Sequence, residues 1–334
     1  MSRSTPRRKK QNNRQSKRPI DYLMSEPLKF FNQKYKNDTT RKAYIKNYKK
    51  YAVWCIENYN CKTNEQCKQY IQHYTDYLSM QGKSASTIHT MIAPVCGFHD
   101  VNMAEIDKPI RRVAETKRSR FRENKYDRVD QNYNSEKYRY VADFQRAVGI
   151  RRAELARLTY DCLKQDESGN WCIEVQRGKG GKYQLQRILP QDLDFIKSYF
   201  TTPGNSRMFT ADQFSTHMDY HHLRALQSQR AYWYYYNLTH TGDKKSDEAA
   251  QNKLRQEIKA RWNKYNINPK TGKPRYLNAD YLLTGTYKLR GTNRELAVKN
   301  HLPTEYDKLS VMCVSIFHLS HWRLNTLCNY LLAI

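Results

Sequence analysis

The sequence predicts a mainly α-helical α+β protein of two domains, with one small antiparallel sheet built from a β-hairpin. Its 334 residues can supply two ordinary domains, each with its own core. Apolar residues recur at helical spacing through most of both halves. In the second half, two short strand-like segments flank a glycine-rich turn, which is the pattern of a hairpin.

The first domain is expected over residues 21–110 and should be entirely helical. Asp38, with the two threonines that follow it, is expected to cap a helix rich in tyrosine. A second helix is predicted through residues 70–78 and is closed by Gly82, and a third begins at Ser84. The lysines on these helices are equally consistent with a surface that contacts a DNA duplex and with an ordinary solvent-exposed surface.

Residues 111–135 are predicted to form a basic linker, because they are charged, poor in apolar residues and without periodicity. The second domain is expected over residues 136–334. It begins with a helix that Gly149 stops. The hairpin strands follow at 171–176 and 183–188, and the remainder is mostly helical.

The charge of the chain predicts a polyanionic partner. Lys and Arg total 59 against 32 Asp and Glu, a formal net charge of +27. Nucleic acid is the first candidate and an anionic membrane surface the second. No apolar run reaches the roughly 18 residues of a bilayer span, and no membrane partner is expected. Residues 1–20 are predicted to be a basic disordered tail, or alternatively an arm along DNA phosphates.

The eight cysteines include no CxxC pair. They are interpreted as reduced packing residues of a cytoplasmic protein. The alternative is a zinc site formed by Cys55, Cys61 and Cys67.

Two cationic residues have the surroundings that phosphate chemistry requires. Arg151 follows a helix-ending glycine, and Glu154 can hydrogen-bond back to fix its planar guanidinium, which matches two phosphate oxygens. Arg152 is a rival for this role. Lys179 lies at the tip of the glycine-rich hairpin, where its ammonium group could protonate a leaving oxygen. The spacing of a P-loop is absent, and a merely basic turn is the alternative.

The remaining candidates are two pairs of residues. His221 and Arg224 are three residues apart, so they share one helix face, whereas His222 points about 100° away. His321 and Tyr330 are nine residues apart near the C-terminus, and a tyrosine there can attack a DNA phosphate. Alone, the pairing is weak, because most of the 27 tyrosines must be packing or surface residues.

Taken in order, four segments of the second half resemble the motifs of the tyrosine recombinases, the phage-integrase and Xer group. VGIRRAEL resembles the arginine box TGLRxxEL, and QRGKGGKYQLQRILP resembles the lysine hairpin. HHLR matches the HxxR box, and LSHWRLNTLCNY matches LGHxxxxxTxxY. TTRKAYIKNYKKYAVWC and GKSASTI are similar to the core-DNA-binding module of that family. The resemblance covers about residues 25–334.

The resemblance implies a two-domain DNA clamp, in which a helical core-binding domain precedes a catalytic domain. It also implies site-specific strand exchange through a covalent 3′-phosphotyrosine. Tyr330 would be the nucleophile, and Arg151 and Arg224 would neutralise charge on the phosphate. Neither a metal nor another cofactor is implied.

The same resemblance assigns the proton transfers. His221 would accept the proton of the attacking phenol, Lys179 would protonate the departing 5′ oxygen, and His321 would donate a hydrogen bond to phosphate.

Double-stranded DNA at specific recombination sites is the implied partner, bound by a homodimer at each site and a tetramer in the synapse. The protein is expected in the cytoplasm, associated with the nucleoid, as part of a mobile or integrating element. A type IB topoisomerase and a non-catalytic DNA-binding protein are the alternatives. The predicted DNA contacts are Lys42, Lys83, Arg118, Arg120, Arg177 and Lys182.

One departure from the family pattern concerns the distance between its last two boxes. His321 lies 97 residues after Arg224, so an insertion is expected at about 238–305. The insertion should contain a helix from Ser246 to Trp262. It also contains Tyr287-Lys-Leu-Arg290, a rival for the second arginine box if tyrosine replaces its histidine.

Overall fold

The computed structural model describes residues 18–110, 135–179, 181–215, 218–268, 270–325 and 328–332. The chain divides into two compact units, Met1–Thr116 and Lys117–Ile334. Most of the predicted tail and the predicted linker lie outside the described residues, as do Arg118 and Arg120. The assignment of the two units to DNA binding and catalysis stays a prediction.

The first unit contains helices and no described strand. Its elements are α1 (Pro19–Lys34), α2 (Asp38–Tyr59), α3 (Asn64–Lys68), α4 (Ile71–Met80) and α5 (Ala85–His99).

Two of the three predicted helix boundaries in this unit are confirmed. Ser84 caps α5 by accepting a hydrogen bond from the Thr87 amide, and Gly82 follows the end of α4 with a φ of +65°. The third prediction was wrong by one residue. Asn37 caps α2, because its side chain accepts from the Thr40 amide, and Asp38 is already helical.

Aromatic side chains dominate the core of the first unit. Phe31, Tyr48 and Tyr51 are fully buried, together with Ile88 and Ile92. Each such side chain contributes on the order of 1.5–3 kcal/mol to folding by leaving water. The tyrosine hydroxyls are satisfied: that of Tyr48, for example, donates to Asn64 Oδ1 at 3.1 Å. The tyrosine-rich periodicity of α2 therefore encodes core packing.

The second unit contains a three-stranded antiparallel sheet in the order β1–β2–β3. Its strands are β1 (Leu163–Gln165), β2 (Trp171–Val175) and β3 (Gln184–Arg187). The register pairs Ile173 with both Leu163 and Gln186. The α+β prediction and its hairpin are confirmed, whereas β1 was not predicted because three residues are too few to show alternation.

The second unit also contains helices. They are α6 (Ser135–Val148), α7 (Arg152–Leu155), α8 (Leu193–Lys197), α9 (Tyr220–Thr239), α10 (Lys244–Tyr265), α11 (Ala279–Leu283), α12 (Gly291–Lys299), α13 (Lys308–Cys313) and α14 (Cys328–Leu331). A π-helical turn, Val314–His318, continues α13. Helix α9 contacts both α6 and α14, so it joins the start of the unit to its C-terminal segment.

The predicted insertion is part of the core of the second unit. Its long helix was predicted correctly and is α10, whose Leu254, Ile258 and Trp262 are buried in one cluster with α9 and α13. A second sheet, not predicted, pairs β4 (Thr286–Lys288) with β5 (Glu305–Asp307). Through the described part of the chain, no helix is long and apolar enough to cross a membrane.

Candidate active site

Arg151 is placed by the break between α6 and α7. Gly149 ends α6 with a φ of +64°, and an added Cβ there would lie 3.0 Å from Gln227 Oε1, so any side chain at this position would be strained and crowded. Arg151 then takes the N-cap position of α7 in an extended conformation. Its side chain is 19% exposed, which leaves the guanidinium reachable from solvent.

Glu154 fixes both Arg151 and the hairpin that carries Lys179. Its carboxylate is 2% exposed and accepts from Arg151 Nη1 at 2.7 Å and from the Lys179 amide at 2.9 Å. Burial alone would raise the pKa of Glu154, but Arg151 and these hydrogen bonds more than offset it, and the pKa is lowered. The predicted link from Glu154 to Arg151 is confirmed, and the link to Lys179 is an addition.

Arg224 is fully buried on α9, beside Arg151. Its Nη1 donates to the Gly149 carbonyl at 2.5 Å and its Nη2 to the Leu319 carbonyl at 3.1 Å. Arg151 Nη2 donates to the same Leu319 carbonyl at 3.4 Å. Burial lowers the pKa of Arg224 to about 10, so it remains a cation at neutral pH. Two guanidinium groups therefore converge on one carbonyl oxygen.

His321 lies in a turn whose backbone is tightly constrained. Ser320 and Trp322 on either side have φ values of +53° and +59°, a region that side-chain-bearing residues adopt at a cost of about 1–2 kcal/mol. The His321 amide donates to the Ser315 carbonyl at 2.9 Å, which ties the turn to the π-helix. Ser320 occupies the glycine position of the motif LGH, and it takes the same left-handed conformation that glycine favours.

The imidazole of His321 faces the phenol of Tyr330. The distance from His321 Nε2 to the Tyr330 hydroxyl is 3.3 Å. Burial, reinforced by Arg224 and Arg151, lowers the pKa of His321 to about 3. The ring is therefore neutral at physiological pH, and its unprotonated nitrogen can accept a hydrogen bond from the phenol.

Tyr330 is held in place by α9 of its own chain. Arg224 Cζ lies 5.9 Å from the centre of the Tyr330 ring. Gln229 Nε2 donates to the Leu331 carbonyl at 3.1 Å, and Leu331 and Leu332 are buried. The C-terminal segment is thus packed so that the phenol, the imidazole and the buried guanidinium meet.

His221 is placed differently from the other candidates. It lies in the first turn of α9, three residues before Arg224, and its side chain is exposed. The rival residues lie on other elements: Tyr287 pairs with Tyr306 in the small sheet, and Arg290 is exposed at the N-cap of α12. Arg224 is the arginine that shares the Leu319 carbonyl with Arg151.

The described residues predicted to contact DNA are all exposed, although none of them is tested as a contact. Lys42 forms an ion pair with Asp38, with a distance of 2.7 Å between Nζ and Oδ2. The others are Lys83, Arg177 and Lys182.

A cationic surface pocket opens beside the cluster. Arg151, Lys179, Lys182 and Arg323 line it together with His321. Gly178 supports the Lys179 turn by a close approach, because an added Cβ there would lie 2.9 Å from the Lys182 carbonyl. The positive lining suits an anionic ligand such as a phosphodiester.

Gln184 and Arg323 belong to this pocket and were not predicted as site residues. Gln184 also lines it and is 5% exposed, yet neither amide atom has a hydrogen-bond partner among the described residues. A buried amide without hydrogen bonds destabilises the folded protein, and a ligand in the pocket could supply the missing bonds. Arg323 follows His321 by two residues. Nothing in the local sequence distinguishes either residue from a surface residue.

A buried ionic network supports the π-helix next to the cluster. Arg187 donates to Asp166 Oδ2 and to Glu257 Oε2, both at 2.7 Å, and it lies 3.7 Å from the Phe317 ring centre. Arg261 of α10 approaches the same ring and the same Asp166. The inserted helix α10 is thereby joined to β3 and to the turn that carries His321.

Comparisons with known proteins add little to this geometry. No protein-family model matches the chain, and no curated protein matches it. One solved structure, described as the crystal structure of XerA recombinase, is similar over 65% of this chain and 85% of its own, at 17% identity and a TM-score of 0.23. Such a TM-score supports no inference, so function has to be inferred from the side chains themselves.

Proposed function

We propose that the protein cuts and rejoins duplex DNA through a covalent phosphotyrosine formed on Tyr330. The observation that carries this proposal is the 3.3 Å contact between the Tyr330 hydroxyl and a neutral imidazole, beside the buried guanidinium of Arg224. A phenol is a poor nucleophile at neutral pH unless a base takes its proton. The site supplies both the base and the positive charge that a phosphate requires.

In the proposed reaction, the phenolic oxygen attacks the scissile phosphorus as the bond to the 5′ oxygen breaks. The phosphodiester energy is kept in the new phosphotyrosine ester, so resealing needs no nucleotide. Arg151 and Arg224 stabilise the charge on the non-bridging oxygens, and Lys179 protonates the departing 5′ oxygen. Lys179 suits this step because its backbone is held by Glu154 while its side chain is exposed.

Two histidines compete for the role of base. The motif resemblance gives the role to His221, whereas the contact with Tyr330 favours His321. The lowered pKa of the buried imidazole makes it a weak base, so the assignment rests on its contact with the phenol and not on its basicity. We assign the first proton transfer to His321 and a phosphate contact to His221.

The partner in this proposal is double-stranded DNA at specific sites, bound by a homodimer at each site and by a tetramer during exchange. The predicted role in integration or mobility of DNA belongs to the same proposal. The cationic pocket beside the cluster supports an anionic partner. A type IB topoisomerase would use the same chemistry, and relaxation of supercoiled DNA without exchange between paired sites would select it.

The test is covalent trapping on nicked duplexes that carry candidate sites. The wild-type protein should form a DNA adduct in EDTA, because the proposed chemistry uses side chains rather than a metal ion. Tyr330→Phe should abolish the adduct while duplex binding persists. Tyr287→Phe is the matched control and should keep the adduct. An adduct that survives Tyr330→Phe, or a strict requirement for Mg²⁺, would refute the assignment.

A further inference from the structure

Three cysteines of the first unit meet at one point. The sulfur atoms of Cys55, Cys61 and Cys67 all lie within 4.8 Å of one another, and all three side chains are buried. Cys55 is near the end of α2, and Cys67 is in the short helix α3. Cys61 lies in the connection between them. The three residues therefore converge from three successive segments of the chain.

The backbone around these sulfurs is already fixed. Asn60 turns the chain with a φ of +50°, after which the Cys61 amide donates to the Cys55 carbonyl at 3.4 Å. The Cys67 amide donates to the Thr63 carbonyl at 3.1 Å, and the Tyr51 hydroxyl donates to the Cys67 carbonyl. A ligand at this point would thus find its donors held in place, with little ordering left to accomplish.

The spacing fits a metal centre. Metal–sulfur bonds of about 2.3 Å in a tetrahedral arrangement put the sulfur atoms roughly 3.8 Å apart. Small rotations about the cysteine side-chain bonds can bring sulfurs that lie within 4.8 Å to that separation. Elsewhere in the described residues, Cys96, Cys162 and Cys172 are equally buried but belong to no such group.

We propose that Cys55, Cys61 and Cys67 bind one thiophilic d10 cation, Zn²⁺ or Cu⁺, as a structural centre. Soft thiolate donors select ions of this class. Cu⁺ would be satisfied by the three sulfurs, whereas Zn²⁺ would take water or a backbone oxygen as a fourth ligand. Lys62 and Lys68 lie next to two of the ligands in sequence and are exposed, so they partly offset the negative charge of the thiolates.

The centre would stabilise the connection between α2 and α4. Helix α3 has five residues, too few to be stable by itself, and it lies within this connection. A metal bound to Cys55 in α2, to Cys61 in the connection and to Cys67 in α3 would hold this segment in one conformation. This inference goes beyond the proposed DNA chemistry, whose residues all belong to the second unit.

The experiment uses the full-length chain, reduced and stripped of metal, then titrated separately with Zn²⁺, Cu⁺ and Co²⁺. Native mass spectrometry should show one bound ion per chain, and elemental analysis of the protein as purified should identify it. Co²⁺ should give the visible absorption of a thiolate complex. Zn²⁺ should raise the midpoint of thermal unfolding.

Two matched variants separate the site from general packing. Cys61→Ser should weaken binding by more than about 100-fold, since even supporting residues around a metal cost 10–100-fold. Cys96→Ser removes an equally buried thiol of the same core and should bind as the wild type does. Equal binding by both variants would overturn the proposal.

The wild-type protein provides a test that does not depend on whether a variant folds. No Co²⁺ spectrum and no retained ion in the reduced chain would overturn the site, as would a disulfide among the three cysteines. Tyr330→Phe should keep the ion while losing the DNA adduct. Failure of the metal site and failure of the DNA chemistry are therefore distinguishable.

Discussion

At the scale of single residues, two histidines are kept neutral by burial next to arginines. His318 accompanies Gln227 and Tyr235 at 3.0 and 3.1 Å, and burial lowers its pKa to about 3, as it does for His321. In an unfolded chain, histidine titrates near 6.5. The unfolded state therefore binds more protons than the folded state between about pH 3 and 6.5.

The contribution of these two histidines to the free energy of unfolding should consequently be fully present above about pH 6.5 and should be lost as the pH drops towards 3. Each histidine contributes a slope of at most about 1.4 kcal/mol per pH unit. Urea unfolding at a series of pH values measures this. His318→Gln should flatten the dependence, whereas His240→Gln, at an exposed position, should leave it unchanged. A flat wild-type profile would contradict the expectation.

Gln184 provides a second prediction at this scale. Gln184→Leu removes an unpaired buried amide, which costs about 1–3 kcal/mol, so stability should be equal or higher. If the amide contacts DNA, cleavage should fall by roughly 3- to 10-fold, the equivalent of one hydrogen bond. Single-turnover cleavage and thermal unfolding measure the two effects.

Gln186→Leu is the matched control, in the same strand and equally buried. Gln186 donates to the Val148 carbonyl, so its loss should lower stability. A loss of stability in Gln184→Leu would show that the amide is not unpaired, and full cleavage activity would show that it does not contact DNA.

Most residues of the cluster were predicted at this scale. Arg151, Lys179, Arg224 and His321 were all predicted from motif spacing; the structure brings His321 and Arg224 to Tyr330, and Arg151 and Lys179 line the pocket that His321 shares. Gln184 could not be predicted, because an unpaired amide is a property of three-dimensional surroundings. Their catalytic roles stay predictions until the adduct is mapped.

At the scale of elements, the inserted helix α10 is joined to the sheet by ion pairs that are largely buried. Arg187 and Asp166 are 7% and 1% exposed, and Glu257 is 11% exposed. Removing one member of such a network leaves an unpaired buried charge and costs about 3–5 kcal/mol. Exposed pairs contribute about 0–1 kcal/mol.

Arg187→Met should therefore destabilise the second unit by about 3–5 kcal/mol. It should also disturb the π-helix, because Arg187 stacks on Phe317. Lys264→Met is the control: it breaks a half-exposed ion pair with Glu167 and should cost under about 1 kcal/mol. Denaturant unfolding of both variants measures the difference, and equal losses would mean that the network contributes no more than a surface pair.

Helical spacing predicted the long elements well but not the short ones. The apolar positions of α10 lie at intervals of four residues, from Leu254 to Ile258 and Trp262, and such a pattern is visible without a structure. Strands β1 and β4 have three residues each, which is too short for alternation. The pairing of Arg187 with Glu257 joins residues 70 positions apart, and one sequence does not reveal it.

At the scale of the whole molecule, the formal charge of +27 dominates the expected behaviour. If the partner is duplex DNA, binding releases condensed counterions, so affinity falls as salt rises. A plot of log affinity against log salt should have a negative slope of about 0.9 per phosphate contacted.

Lys182→Gln should reduce the magnitude of that slope by about one, because Lys182 lines the cationic pocket. Fluorescence anisotropy over a salt series measures both proteins. A wild-type affinity independent of salt would argue against phosphate contacts altogether, and an unchanged slope in the variant would remove Lys182 from the interface.

The anchoring of the C-terminal segment has a consequence for any assembly of subunits. Gln229 and the buried Leu331 keep the phenol beside Arg224 of the same polypeptide, so the nucleophile need not come from a neighbouring subunit. Under the proposed chemistry, each subunit would then carry its own complete cleavage site. Contacts between subunits would serve to control which DNA strands are cleaved and in what order.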